Sequence, residues 1–379
     1  MQRITLPIYV PALRLKQGEY RGLQRLAPEI ADKIVPRLVV PPPMERDPEK
    51  QRFLTKDEIV YGTGRRIASH WIKRDAYLDV QFLFKEFGES DCTEWLPRMF
   101  DVARKAEAQP IPVLTLSDAL GYRGVAFKQV LAMTGRTKAA IRIESGEIDG
   151  DLPGRLPAAM YALGLEPDDC TLIADFADAD FTDAAAVAII AQAALEDLQR
   201  IGRWQQVVFQ GTNYPEVNPA ESNSIATISR TEWLAWKAAI KLDGNSPEHL
   251  VFGDYGADCA KFEFKKVSGG IPIRHYRYAT PDSWLVVRGT PEGAADVAMR
   301  DVCDRILKSG HFAGRGFCSA DDYIFRTAKG TEGPGNGATW REINMAHHIT
   351  RVVRDIGGVK GIAFAETTFA DAADQLLLI

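Results

Sequence analysis

The chain has 379 residues, 46% of them apolar, and a formal net charge of -5. That length can bury one large core or be shared between two ordinary domains. The acidic balance excludes a surface that coats nucleic acid generally, while leaving room for a local basic cleft. Cys92, Cys170, Cys259, Cys303 and Cys318 are scattered, odd in number and without a CxxC pair. They read as reduced thiols rather than a disulfide framework or a zinc site. The opening MQRITLPIYVPALRL lacks an apolar leader with a small-residue cleavage site, and no run approaches the length of a membrane span. The expectation is a cytoplasmic protein with no membrane association.

Taken in chain order, apolar runs rich in β-branched residues alternate with helix-length amphipathic stretches. The runs are IYVPALRL, VPRLVVPPP, AYLDVQFLF, IPVLTLS, AAIRIES, CTLIADF, WQQVVFQGT and HLVFGDYG. Strict alternation implies right-handed crossovers and a parallel sheet. Eight such units suit an α/β fold of the (β/α)8 TIM-barrel type over residues 1–259, with a doubly wound open sheet as the rival. Beyond them, RHYRYAT and SWLVVRG form a hairpin about Pro281-Asp282. AADVAMRDVCDRILKS reads as a helix, FAGRGFCSADDYIFRTAKGTEGPGNGA as largely irregular, and TWREINMAHHITRVVRDIGG as a closing helix. Residues 260–379 are expected to elaborate the same domain, cover the barrel mouth and supply its last helix.

Active groups of such barrels stand where the strands end. The first run ends near Arg14, Lys16 and Glu19, and the second in prolines followed by Glu45 and Arg46. The third holds Asp79 and Gln81, the fourth Thr115, Ser117 and Asp118, and the fifth Arg142 and Glu144. Asp175 closes the sixth, Gln210, Thr212 and Asn213 the seventh, and Asp254 and Tyr255 the eighth. Arg142, Asp175 and Asp254 interrupt apolar strands, so each must be paired or solvated. They read either as a polar cavity shared by Asp175 and Asp254, with Arg142 in reach, or as internal ion pairs such as Arg142 with Asp175. Gly253 and Gly256 are expected to turn the chain sharply, so that Asp254 and Tyr255 face the mouth beside the hairpin. On the closing helix, Arg341, Asn344 and His348 share one face and Trp340, Asn344 and His347 another. Adjacent His347 and His348 point about 100° apart and do not suit one ion.

Several of these motifs together resemble the phage-associated "beta protein" family, named for a T4-type phage protein. They are YVPALRLKQGEY, GTNYPE, RTEWLAWKA, FGDYG, the RHYRYAT…SW hairpin and the closing helix with its two histidines, in that order along almost the whole chain. The resemblance implies a prophage, mobile-element or phage-defence setting and supplies no reaction. Lys16, Glu19, Asp254, Tyr255, Arg277, Tyr278 and His348 lie within the matching motifs.

Two functions stay open at this level. In the first, the mouth is a hydrolase site for a phosphodiester, nucleotide, nucleic-acid fragment or glycoside. Lys16, Glu19, Arg142, Thr212, Asn213, Arg277, Tyr278 and Arg341 would bind substrate, and Asp175, Asp254, Tyr255 and His348 would be the catalytic groups. Asp175 and Asp254 would act as an acid–base pair or as ligands of Mg²⁺ or Mn²⁺, for which carboxylate oxygens are suited. In the second, the barrel is a non-catalytic module that binds a small molecule or a phage or host protein. Closed internal salt bridges favour the second.

Overall fold

The computed structural model describes residues 7–42, 52–132, 137–242, 250–260 and 273–365. Glu45 and Arg46 lie outside the described residues. Eleven strands are present there: β1 (Tyr9–Arg14), β2 (Arg37–Val39), β3 (Asp75–Asp79), β4 (Gln109–Leu114), β5 (Ala139–Glu144), β6 (Cys170–Asp175), β7 (Gln206–Gln210), β8 (Ile225–Ser229), β9 (Leu250–Asp254), β10 (His275–Ala279) and β11 (Ser283–Arg288). The eight read from the apolar runs close into one parallel barrel in the order β1-β2-β3-β4-β5-β6-β7-β9. β9 hydrogen-bonds back to β1, with Val10 opposite Gly253, which settles the barrel against the open sheet. No helix among the described residues is long and apolar enough to cross a membrane.

The chain forms two compact units. Met1–Lys16, Lys33–Glu216 and Arg230–Ser268 make the first, which contains the barrel. Gln17–Asp32, Val217–Ser229 and Gly269–Ile379 make the second.

The barrel interior follows from strand parity. Side chains alternate between the two faces of a strand, and Val10, Tyr77, Ile111, Val113, Ala140, Ile173, Val208 and Val251 meet in one buried apolar layer. Two residues further along their strands, the same inward face carries Asp79, Arg142, Asp175 and Gln210. Arg37 enters beside them from β2, in register with Ala12 and Tyr77. A polar layer therefore sits on the apolar one at the C-terminal ends of the strands. Gly253 occupies the same face of β9, where a Cβ would stand 2.8 Å from Val208 Cγ1 and 2.9 Å from the Val10 carbonyl oxygen. Gly253→Ala should therefore lower stability by roughly 1–3 kcal/mol, readable as an earlier thermal unfolding midpoint. Gly253 is thus a packing position inside the strand. The turn expected of both glycines is made by Gly256, whose φ is 61°.

In the second unit, β10, β11 and β8 form an antiparallel sheet in that order. Tyr276, Tyr278, Leu285 and Val287 on one face pack with the helices Ala295–Lys308, Ser319–Lys329 and Gly337–Lys360. β8 lies outside the expected strands: its residues are all exposed or half-buried, so no apolar alternation marks it. Ser319–Lys329, expected to be irregular, is a helix. Ala320, Tyr323, Ile324 and Thr327 nonetheless bury one helical face, and Gly330 in the left-handed region ends the helix. The flanking glycines hid that three- and four-residue spacing.

Candidate functional site

The polar layer is a closed ionic lattice built around Asp175. Its Oδ2 lies 3.3 Å from Arg37 Nη1 and 3.2 Å from Arg142 Nη1. Its Oδ1 accepts from the Tyr255 hydroxyl at 2.5 Å and from the Ala177 amide at 3.1 Å. Arg37 also donates to Gln210 Oε1. Its Nε lies 3.2 Å from Asp79 Oδ2, badly angled for a hydrogen bond but close enough for an ion pair. Gln210 in turn donates to the Val10 and Asp254 carbonyls, tying the lattice to β1 and β9. Burial alone would raise the Asp175 pKa, but Arg37, Arg142 and the Tyr255 hydroxyl hold it below the usual carboxylate range. Burial and the neighbouring Asp175 charge push Tyr255 far above an ordinary phenol. Burial opposes the charge on Arg142, yet Asp79 and Asp175 outweigh it and keep the guanidinium more firmly protonated than usual.

Above this floor opens a pocket of ≈ 550 Å³. Arg37, Arg142 and Tyr255 face it from below, with Gln81 and Glu144 at one side. The β6–helix segment Ala177–Phe181 and the Thr212–Glu216 loop complete the wall. Arg142 donates through Nη1 to Asp175 and through Nη2, at 2.7 Å, to Gln81 Oε1. Its remaining ion pair, 3.2 Å from Nη2, goes to Glu144, whose side chain is 56% exposed. Among the anticipated residues, Arg142, Thr212, Asn213 and Tyr255 line the pocket, and Asp175 lies beneath it. Lys16, just beyond β1, is not part of its lining. The residue missed was Arg37. It interrupts VPRLVV just as Arg142 interrupts AAIRIE, so the same in-strand charge would have revealed it.

Asp254 parts company with Asp175. Val251 and Gly253 face the barrel interior, so parity turns Phe252 and Asp254 outward, and the expected shared cavity does not form. Tyr9, also outward on β1, donates to Asp254 Oδ1 at 2.5 Å, and the Gly256 amide donates to the same oxygen at 2.8 Å. The surroundings are aromatic: Phe252 packs on Tyr9, Trp233 and Trp236. Arg230 and Glu232 add charge there, and both act on Tyr9 together with Asp254. Glu232 is fully buried. Its Oε2 accepts from the Asn213 amide at 3.1 Å, while Oε1 has no hydrogen-bond partner. Burial, reinforced by the Asp254 charge, raises its pKa to about 7 against the pull of Arg230. Asp254→Ala should cost about 1–3 kcal/mol in an unfolding titration, because it strips the Tyr9 hydroxyl of its buried acceptor.

The other anticipated residues belong to the second unit. Glu19, buried, pairs with Arg341 at 2.9 Å. Asn344 Oδ1 accepts from the Arg277 amide at 3.0 Å. Tyr278 donates to Asp321 Oδ1 at 2.6 Å. His348 stacks on Trp284, with ring centroids 4.5 Å apart, whereas His347 stacks on Tyr278 at 3.8 Å. The two histidines thus diverge as helical geometry requires. Among the described residues, neither Asp175 nor Asp254 belongs to a group of three or more His, Cys and carboxylate ligand atoms close enough to hold one ion. Among the described residues that condition is met by Cys318, Asp321 and His347.

Compared with known proteins, residues 9–354 match the family model described as Beta protein. No curated protein matches the chain.

Proposed function

This chain belongs to the Beta protein family, and we propose that its barrel mouth binds a small molecule through one anionic group seated on Arg142. The family resemblance supports a phage- or mobile-element-associated setting. The observation that carries the ligand proposal is the division of labour on Arg142. Its Nη1 is tied to buried Asp175, while its Nη2 meets Gln81 and an exposed carboxylate, Glu144, that can swing into water. An incoming phosphate or carboxylate takes the place of Glu144 at no cost in buried charge. Glu144, Asp178, Asp180 and Glu216 all line the pocket. Their like charges disfavour a polyanion such as a nucleic-acid strand and favour a ligand whose remaining groups are hydroxyls or amines.

Binding is favoured over hydrolysis. A general acid needs a proton available near the working pH, but Asp175 is held as a carboxylate and its oxygens are occupied by Arg37, Arg142, Tyr255 and the Ala177 amide. Tyr255 is locked onto Asp175 and holds its proton too tightly to serve as a base. Asp254 lies on the outer face of the sheet and cannot complete an acid pair across the mouth.

The test is a calorimetric titration with inorganic phosphate and with a nucleoside monophosphate. Glu144→Gln removes the competing carboxylate and should tighten binding several-fold. Arg142→Gln should weaken it at least tenfold. Equal affinities in all three proteins would contradict the proposal.

A further inference from the structure

We propose that Cys318, Asp321 and His347 form a zinc site inside the second unit. Cys318 is the residue that caps the helix Ser319–Lys329, and Asp321 lies three positions on, in its first turn. Both therefore stand at one helix end. His347 arrives from the helix Gly337–Lys360, which packs against the first helix and against β10. Their ligand atoms all lie within 4.8 Å of one another. Cys318 Sγ and His347 Nδ1 approach the same oxygen, Asp321 Oδ2, at 3.0 and 2.9 Å. Zinc bonds of about 2.3 Å to sulfur and about 2.1 Å to nitrogen and oxygen give tetrahedral edges of roughly 3.4–3.6 Å. The two separations at Asp321 Oδ2 therefore need to widen by only about half an ångström to admit an ion.

The surroundings are those of a ligand set. His347 Nε2 lies 2.8 Å from the Ala279 carbonyl, an acceptor that demands a proton on that nitrogen. The tautomer so fixed leaves the Nδ1 lone pair for a metal, the arrangement by which backbone carbonyls orient histidine ligands. Asp321 Oδ1 is held by the Tyr278 hydroxyl, which in turn accepts from the Ala313 amide. All three ligands are buried. In the metal-free state two protons bridge the trio, one on the Cys318 thiol and one between His347 Nδ1 and Asp321 Oδ2. Uptake of one Zn²⁺ expels those two protons, so the charge inside the core is unchanged and no uncompensated ion is buried. Cys318 has no CxxC partner that would mark it in the sequence. The third ligand comes from 26 residues beyond Asp321, across the fold.

The experiment uses the full chain, expressed with zinc and dialysed against a weak chelator. Metal content is then read by mass spectrometry, and the cobalt-reconstituted protein by absorption. One zinc per chain is expected, with a thiolate-to-cobalt charge-transfer band in the near ultraviolet. Cys318→Ser should abolish that band, and His347→Gln should lower zinc content at least tenfold. Cys303→Ser, altering another buried thiol, should leave both unchanged and controls for folding. Protein folded in zinc yet carrying under a tenth of an equivalent would overturn the proposal. So would zinc retained in the Cys318→Ser, His347→Gln double variant.

Discussion

Asp175→Ala should lower stability by roughly 3–5 kcal/mol, more than any other single substitution in the barrel mouth. The residue is 2% exposed and lies between two guanidinium groups, that of fully buried Arg37 and that of Arg142, whose side chain is only 11% exposed. Removing one partner of a buried ion pair strands the charge of the other, which is why the loss exceeds the net worth of the pair. Arg37 keeps Asp79, and Arg142 keeps Glu144 and Gln81, so the fold survives with two cations sharing too few acceptors. Adding Arg37→Met to Asp175→Ala should recover part of the loss, because it removes one stranded charge. Urea unfolding of the two variants and the wild type reads this directly. A loss below 1 kcal/mol, or a double variant weaker by the plain sum of both changes, would show that the lattice does not carry the mouth.

Glu232→Gln should stabilise the protein at pH 8 by up to about 3 kcal/mol. An ordinary glutamate titrates at 4.5, whereas burial raises Glu232 in the folded chain to about 7. A raised acid contributes stability that is fully present below the unfolded pKa and is lost as pH rises through the folded one. The loss therefore falls between pH 4.5 and about 7. A difference of 2.5 pH units corresponds to roughly 3 kcal/mol. Glutamine keeps an oxygen for the Asn213 amide and never ionises, so its variant should lack this slope. His275, pushed down to about 4 by burial and by Arg277, slopes the other way between pH 4 and 6.5. The difference between variant and wild type isolates Glu232 from it. Parallel stability profiles from pH 4.5 to 8 would contradict the assignment.

The barrel was legible because each strand is a short apolar run, and eight of them alternate with amphipathic stretches. That pattern survives any error in element ends. What escaped lies where burial is weak or comes from afar. β8 has no buried face of its own, and the helix Ser319–Lys329 sits among glycines that look like loop. For the site, the in-strand charges marked Arg142 and Asp175, which pair with each other at 3.2 Å. Their pairing was one of the two readings available from the sequence alone. Asp254 gave the same signal for a different reason: parity places it outward, with Tyr9, Arg230 and Glu232. One residue of register separates an inward Tyr255 from an outward Asp254, and no composition argument resolves a single residue. Cys318, Asp321 and His347 are brought together by helix packing and share no local motif.

The most direct test of the account is a crystal structure of the protein soaked in phosphate. Density for the anion is expected in the barrel mouth within hydrogen-bond distance of Arg142, with Glu144 swung into solvent and the Arg142–Asp175 pair intact. An unbroken Arg142–Glu144 pair with no anion in the pocket would contradict it.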